Sequence, residues 1–233
     1  MKYACDLHIH TALSPCANEE MTPNNIVNMS LIKGLDIIAI TDHNSAKNVR
    51  AVIECAKGKN LIVLPGIEVN TREDIHVLCY FSTIEKLEEF DAWLYVKLAE
   101  MPFEEKHFGS QLVMDSSDEV ISHENKFLLQ GADVSFNHLL AFVNEMGGIA
   151  VPAHINRTAN SLLYIFGFIP VDPLIKAVEL GRLAPTPKID INKYHVINSS
   201  DAHDLSAILE REYFIDLNAK SAEELLQHFN NIL

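Results

Sequence analysis

DLHIH, residues 6–10, closes the first apolar run of the chain and alternates polar with apolar side chains. Successive side chains of a β-strand point to opposite faces, so Asp6, His8 and His10 share one face while Leu7 and Ile9 share the other. We therefore predict a strand with one apolar face and one face made of groups that bind metal ions or transfer protons.

The segments that follow predict alternating helices and strands. Residues 22–34 have the pattern of a helix capped by Thr22. The continuous apolar run LDIIAIT, residues 35–41, is typical of a strand that is covered on both faces. A second helical pattern over residues 44–60 and a third strand over residues 61–66 repeat this order. Such units predict an α/β fold with parallel strands, either a sheet or a barrel.

The length and composition of the chain suit one globular domain. It has 233 residues, of which 48% are hydrophobic and 21% charged, so a sizeable core can form. We predict a single domain over residues 1–233, with an insertion at about 102–131 that contains a hairpin turning at residues 116–118. The sequence has no apolar stretch long enough to cross a bilayer, no signal peptide and no CxxC pair. These features predict a reducing, cytoplasmic location.

The formal net charge of −14 shapes the expected partners. Binding to duplex nucleic acid or to an anionic membrane needs basic surface, so we expect neither partner. A small anionic substrate would require a local source of positive charge. The sequence specifies no oligomeric state.

Histidine and acidic residues recur at one kind of position, where an apolar strand gives way to a loop. These strand-end residues are His8, His10, Asp42, His43, Glu68, His154, Asp201 and His203. The carboxyl ends of parallel barrel strands lie on a single face, so we expect residues distant in sequence to converge there. His76 begins its apolar run instead of ending it, and it joins the set only if its strand enters from the opposite direction.

This set of residues predicts a metal site. A single histidine at a strand end is more often a hydrogen-bonded loop residue than a ligand. Burying this many polar groups together would be costly unless metal ions satisfied them. Imidazole and carboxylate ligands suit Zn, Mn or Fe, and the set exceeds the needs of one ion.

Six separated motifs, DLHIHT, ITDHN, GIEV, HVL, PAHI and SSDAH, occur in an order that resembles the polymerase and histidinol phosphatase (PHP) family of metal-dependent phosphoesterases. The resemblance implies an α/β fold in the form of a distorted (β/α)7 TIM-like barrel, with two or three divalent ions (Zn, Mn or Fe) at the carboxyl ends of its strands. It also implies hydrolysis of phosphate mono- or diesters of a small metabolite, nucleotide or short oligonucleotide.

The resemblance also implies a set of ligands. The sets are His8, His10, Glu68 and Asp201 for the first ion, Glu68, His76 and His154 for the second, and His43 and His203 for the third. Glu68, Asp201 and His203 are the catalytic candidates. Many family members complete the third site with a His or Asp shortly after H-x-H, where this chain has Cys16. Cys16 is either that ligand, as a thiolate, or a buried bystander.

The implied chemistry follows from charge. Adjacent divalent ions lower the pKa of a bridging water and bind phosphate oxygens, which supplies a nucleophile and local positive charge. Arg157 is the candidate for gripping substrate phosphate, and a surface salt bridge is its alternative role. Asp6 and Asp42 either orient ligand imidazoles or cap loops. We expect residues 102–131 and 156–173 to wall the pocket.

Two other functions remain open. Amidohydrolases, which cleave C–N bonds, also place H-x-H on a barrel strand, but they commonly carry a bridging lysine where this chain has Glu68. A non-catalytic metal-binding module would be expected to have lost ligands, whereas almost all are present here.

Overall fold

A computed structural model of the protein describes residues 1–231. Its strands are β1 (Lys2–Ile9), β2 (Ile37–Ile40), β3 (Ile62–Asn70), β4 (His76–Tyr80), β5 (Leu112–Met114), β6 (Val120–His123), β7 (Ile149–Pro152), β8 (Ala177–Glu179), β9 (His195–Ile197) and β10 (Phe214–Asp216). Its helices are α1 (Pro23–Ile32), α2 (Val49–Ala56), α3 (Ile84–Tyr95), α4 (Glu105–Phe108), α5 (Phe136–Glu145), α6 (Leu162–Phe166) and α7 (Ala222–Asn230). None of the helices described is both long and apolar enough to cross a membrane.

Six strands form one mixed sheet in the order β10-β1-β2-β3-β4-β7, which curls into half a barrel. β1, β2 and β3 run parallel and are joined by α1 and α2, as the alternating pattern predicted. The pairs β10–β1, β3–β4 and β4–β7 are antiparallel. The predicted α/β class is therefore confirmed, while within the six-stranded sheet the parallel order holds only for β1, β2 and β3.

The antiparallel direction of β4 explains the position of His76. β4 pairs with β3 in a register that sets Asn70 opposite His76 and Glu68 opposite Leu78. The first residue of an antiparallel strand lies beside the end of its neighbour. His76 therefore reaches the end of the sheet that carries Glu68, which the sequence pattern had left open.

The second half of the chain returns to β1. β8 and β9 form a separate parallel pair, and β8 packs beside β7. In the loop after β9, Ala202 bridges to Ile9, and its carbonyl accepts a hydrogen bond from the His10 amide at 3.0 Å. Strand ends from both halves of the chain therefore meet on one side of the sheet.

Both faces of β2 are buried. Ile37 and Ala39 pack in a cluster that includes residues of α7, while Ile38 and Ile40 pack in a larger cluster with α1 and α2. Each fully buried isoleucine contributes about 1.5–3 kcal/mol. Cover on both faces is the reason that β2 has a continuous apolar sequence.

The polar segment at 102–131 contains the predicted hairpin. β5 and β6 pair antiparallel around a turn in which Asp118 has a left-handed φ of 64°. The Asp115 carboxylate accepts hydrogen bonds from the amides of Ser117 and Glu119 at 2.8 and 3.1 Å. These bonds stabilise the turn, because aspartate side chains mimic backbone acceptors.

Candidate metal centre

The candidate site begins at the end of β1, where two imidazoles face two carboxylates. The Nε2 atoms of His8 and His10 lie 3.1 Å apart. Asp201 Oδ1 lies 3.2 Å from His8 Nε2 and 3.1 Å from His10 Nε2. Glu68 lies near both rings, with Oε1 3.4 Å from His8 Nε2 and Oε2 3.5 Å from His10 Nε2. The four residues that the resemblance assigned to the first ion are thus brought together.

This spacing fits a divalent cation. Four ligand atoms at about 2.0–2.1 Å from a tetrahedral metal stand roughly 3.3–3.4 Å apart, because the edge of a tetrahedron is about 1.6 times the bond length. The observed separations range from 3.1 to 3.5 Å. In addition, Glu68 Oε2 is buried and accepts no well-aligned hydrogen bond. A buried carboxylate oxygen without a partner is costly, so these residues suit a bound cation.

Glu68 also joins a second group of imidazoles. Its Oε1 lies 3.0 Å from His76 Nδ1 and 3.3 Å from His154 Nε2. Its Oε2 lies 2.9 Å from His43 Nδ1, a short contact that is poorly aligned for a hydrogen bond. Glu68 is fully buried. A buried carboxylate with imidazoles at both oxygens can bridge two cations.

A third group consists of His10, His43 and His203, whose candidate ligand atoms lie within 4.8 Å of one another. The ring centroid of His10 lies 4.4 Å from that of His43 and 4.2 Å from that of His203. His203 Nδ1 donates a hydrogen bond to the Asp201 carbonyl at 2.8 Å, which leaves Nε2 as its ligand atom. The His203 side chain is 30% exposed, so this group lies at the open side of the site.

Charges within the site shift pKa values in opposite directions. Burial lowers the pKa of His8, but the carboxylates of Glu179, Asp201 and Glu68 raise it well above its ordinary value. Burial and neighbouring imidazoles lower the pKa of His10. Burial raises the pKa of Glu68 and Asp201, but contacts with histidines hold both well below the ordinary range. Both carboxylates are therefore ionised at neutral pH, as cation binding requires.

Two candidate ligands have a left-handed backbone. The φ angle is 27° at His154 and 53° at Asp201, a region that residues other than glycine rarely occupy. These residues lie in the loops that follow β7 and β9. Such conformations cost about 1–3 kcal/mol each and persist where the surrounding structure holds them. The strained turns point both side chains at the site.

Sequence reasoning missed Glu179, the last residue of β8. Its carboxylate accepts a hydrogen bond from His8 Nδ1 at 3.0 and 3.1 Å, and another from the His154 amide at 2.9 Å. The first contact holds the His8 proton on Nδ1 and leaves Nε2 directed at Asp201. Glu179 also ends a strand, KAVEL, and this signal was available in the sequence. It was overlooked because no histidine stands beside it.

Ser14 plays the corresponding role for His10. Ser14 Oγ donates to Asp42 Oδ1 at 2.7 Å, so it accepts the His10 Nδ1 proton at 2.9 Å. The lone pair of His10 is thereby placed on Nε2. Asp42 also accepts hydrogen bonds at 2.7 Å from the amide and hydroxyl of Thr11. Asp42 therefore both caps its loop and orients His10 through Ser14.

Cys16 and Asp6 lie apart from the three groups. Cys16 is exposed, and its sulfur belongs to none of the groups whose ligand atoms approach within 4.8 Å. Asp6 accepts hydrogen bonds from the amide and hydroxyl of Ser200 and from the amide of Leu209. Asp6 thus fastens the loop that carries Asp201.

Arg157 lies at the mouth of the site. Its Nη2 lies 2.6 Å from Asp201 Oδ2, and its side chain is 43% exposed. It also lines a cleft of about 410 Å³ that is bounded on one side by His76 and His154. The guanidinium is therefore within reach of a candidate ligand and of any molecule in the cleft.

Comparison with known proteins adds a family to this geometry. The family model of the PHP domain matches residues 6–230. The uncharacterized protein YqxK of Bacillus subtilis is 26% identical over 252 residues. That alignment covers 91% of this chain and 57% of YqxK, so the chain spans little more than half the length of this curated relative.

Several solved structures share the fold. The lesion-specific endonuclease PfuEndoQ from Pyrococcus furiosus matches with a TM-score of 0.72 and 20% identity, over 99% of this chain and 56% of that chain. An Endonuclease Q complex with a 27-mer duplex substrate carrying an abasic lesion matches with a TM-score of 0.65 and 18% identity, over 98% and 56% of the two chains. A candidate metal-dependent phosphoesterase from Bifidobacterium adolescentis matches with a TM-score of 0.58 and 18% identity, over 85% and 87%.

The duplex complex corrects one expectation. The net charge of −14 led us to exclude duplex nucleic acid as a partner, yet a protein with this fold was solved with a duplex substrate. The exclusion was wrong because net charge is a sum over the whole surface, whereas binding depends on the local field. Bound cations can reverse that field at a site.

Proposed function

The chain belongs to the PHP domain family, and from this premise we propose that it is a metal-dependent phosphoesterase. Its substrates are phosphate mono- or diesters of a small metabolite, nucleotide or short oligonucleotide, and its cofactors are two or three ions of Zn, Mn or Fe. The observation that carries the proposal is the fully buried Glu68 carboxylate, which contacts imidazoles from several strand ends. Any statement about the activity, substrates or partners of a longer protein that contains this chain is likewise a proposal.

We assign the ligands as three sets, of which the first two share Glu68. They are His8, His10, Glu68 and Asp201 for the first ion, Glu68, His76 and His154 for the second, and His43, His203 and Cys16 for the third. His10 also lies within the third group, so it is placed to support either neighbouring ion. Cys16 is the member of the third set that lies outside that group. Turnover depends most on Glu68, Asp201 and His203.

Residues of this chain orient the candidate ligands and bind the substrate phosphate. When bound, divalent ions would lower the pKa of a water molecule and would supply positive charge to the phosphate oxygens. Glu179 and Ser14 hold the protons of His8 and His10 on Nδ1, so that both Nε2 lone pairs face inward. Arg157 binds a phosphate oxygen at the mouth, because its guanidinium is exposed and matches phosphate geometry.

We further propose that residues 1–233 form a single domain with an insertion at about 102–131. The curled six-stranded sheet and the β8–β9 pair beside β7 together hold eight strands. The distorted (β/α)7 barrel that we propose counts seven of them and leaves the antiparallel edge strand β10 outside. Metal ligands at the strand ends of such a barrel would occupy its catalytic face.

The test is hydrolysis by the manganese-loaded protein, with phosphate monoesters, phosphate diesters and short oligonucleotides compared side by side. Glu68→Gln removes the bridging charge while it keeps the side-chain shape. Glu124→Gln is the matched control, because Glu124 is also buried but pairs with Lys47 outside the site. We expect turnover by the wild-type and Glu124→Gln proteins, and neither turnover nor full metal content in Glu68→Gln.

Bound metal without hydrolysis of any phosphoester would contradict the proposal. That result would favour a non-catalytic metal-binding module or a C–N hydrolase. A series of N-acyl amino acids and cyclic amides, offered to the same metal-loaded protein, separates these two functions.

A further inference from the structure

Two clefts meet at Arg157 and lead away from the candidate metal centre. The first, of about 410 Å³, is bounded by His76 and His154. The second, of about 360 Å³, is bounded by Tyr164 and Lys188. The residues that line both are Asn156, Arg157, Thr158 and Pro185. We call the combined space the side groove. Its size lies in the range of sites that enclose a molecule much larger than one phosphate group.

One wall of the side groove is held in place by hydrogen bonds. Asn156 Nδ2 donates to the carbonyls of Gly181 and Pro185 at 3.2 and 3.1 Å, and Asn156 Oδ1 accepts from the Gly181 amide at 2.7 Å. A Cβ at Gly181 would lie 3.2 Å from the Cβ of His154, so the two loops approach closely. The groove therefore has a defined position relative to the candidate ligands.

The lining of the side groove differs in charge from the rest of the protein. The chain has 32 acidic residues, yet no Asp or Glu is among the described residues that line the two clefts. Lys188 and Arg157 supply positive charge, and the side chains of both are exposed. Arg157 also pairs with Asp201 at the inner end of the groove. Tyr164 is 63% exposed and offers its ring at the outer cleft. Cations that line the same groove as an exposed aromatic ring suit a chain of phosphates and bases.

We propose that the side groove binds an unpaired stretch of nucleic acid that continues from the scissile phosphate. Lys188 pairs with a neighbouring phosphate, and Tyr164 stacks on a base. This inference rests on the proposed phosphoesterase function and selects polynucleotide diesters within it. A small monoester would use the inner end of the groove and leave Tyr164 and Lys188 without a role.

The first experiment measures binding of a fluorescein-labelled thymidine strand of about eight nucleotides by fluorescence anisotropy. It is carried out with the manganese-loaded protein and a strand with phosphorothioate linkages, which slow cleavage during the measurement. Tyr164→Ala should weaken binding by about fivefold or more without changing its salt dependence, because stacking involves no counterion release. Lys188→Ala should reduce the slope of log affinity against log salt by about 0.7, the value for one phosphate contact on a single strand.

The chain offers matched controls for both substitutions. Phe168 is 60% exposed, close to the value for Tyr164, but does not line the side groove. Lys193 lines a different cleft. Phe168→Ala and Lys193→Ala should bind the strand as the wild-type protein does. Equal weakening by the controls, or unchanged binding by both groove variants, overturns the proposal.

Hydrolysis of bis(p-nitrophenyl) phosphate by the manganese-loaded protein tests the phosphoesterase function independently of binding to the side groove. If this small diester is hydrolysed but the strand does not bind, the function stands and the inference about the groove fails. If the strand binds through Tyr164 and Lys188 but no ester is hydrolysed, the groove is a nucleic-acid site and the proposed function fails.

Discussion

Glu179→Gln isolates the contribution of one carboxylate that holds two candidate ligands in place. Glu179 accepts hydrogen bonds from His8 Nδ1 at 3.0 and 3.1 Å and from the His154 amide at 2.9 Å. Glutamine keeps the shape of the side chain but has one acceptor oxygen and one donor group. Whichever way the amide turns, its NH2 faces an N–H of His8 or His154. At least one of the three contacts therefore becomes repulsive.

The expected magnitude follows from the bond that is lost. A hydrogen bond to a charged group contributes about 1.5–3 kcal/mol. Since about 1.4 kcal/mol corresponds to a tenfold change in an equilibrium constant, metal affinity should fall by roughly 10- to 100-fold. His8 is also released to carry its proton on Nε2, the atom that would bind the ion.

The assay is competition for zinc against a chelator of known affinity. The free energy of unfolding in EDTA is measured in parallel, so that loss of affinity can be separated from loss of stability. Glu124→Gln is the control, because Glu124 is 2% exposed and Glu179 is 1% exposed, and Glu124 lies outside the metal site. We expect Glu179→Gln to lose zinc affinity and Glu124→Gln to keep it.

Zinc affinity in Glu179→Gln within about twofold of the wild-type value would refute this reasoning, since outer-shell partners typically change affinity by about 10- to 100-fold. Glu179 would then be a buried polar group that stabilises the fold without positioning His8. An equal loss in both variants would also refute it, because the loss would then follow from general destabilisation.

Three further substitutions have separate outcomes. His203→Ala should lower manganese-dependent turnover by about tenfold or more. It should change the free energy of unfolding in EDTA by only about 1 kcal/mol, because one partly exposed hydrogen bond is lost. Full activity would contradict the assignment of His203. Cys16→Ser should weaken binding of the third ion in equilibrium dialysis, since a hydroxyl is a poorer ligand than a thiolate, and unchanged stoichiometry and affinity would remove Cys16 from the ligand set. Burial raises the pKa of Asp91 from 3.8 to about 6, because the folded protein disfavours the ionised carboxylate. The contribution of Asp91 to the free energy of unfolding is therefore complete below pH 3.8 and is lost as the pH rises through 6. In urea unfolding with EDTA, the stability of Asp91→Asn relative to the wild-type protein should therefore rise by roughly 1 kcal/mol between about pH 5 and pH 8. A difference that does not depend on pH would contradict the shift.

Local patterns were sufficient to find the candidate ligands of β1 and several elements of the fold. The alternation in DLHIH predicted that His8 and His10 share a face, and their Nε2 atoms lie 3.1 Å apart. Thr22 was predicted as a cap, and its side chain accepts a hydrogen bond from the Asn25 amide. These predictions succeeded because side-chain direction in a strand and capping at a helix end depend on residues only a few positions apart.

The net charge predicted the binding partners less well than the local sequence patterns predicted the structure. The net charge of −14 suggested that duplex nucleic acid is excluded, and the comparison with Endonuclease Q overturned that inference. A sum of charges contains no positions. It cannot reveal a groove lined by Arg157 and Lys188 in an acidic protein.

The sequence by itself determined that histidine and acidic residues gather near the ends of strands, and what chemistry those residues carry. Only the tertiary structure decided the direction of β4, the contact of Glu179 with His8, and the position of Cys16 outside the three groups. An alternating pattern is the same in either direction, so it cannot show from which side a strand enters a sheet. His8 and Glu179 are 171 positions apart, and they meet because β8 packs beside β7 while the chain after β9 returns to β1. That contact depends on the curvature of the whole sheet, which no short segment encodes.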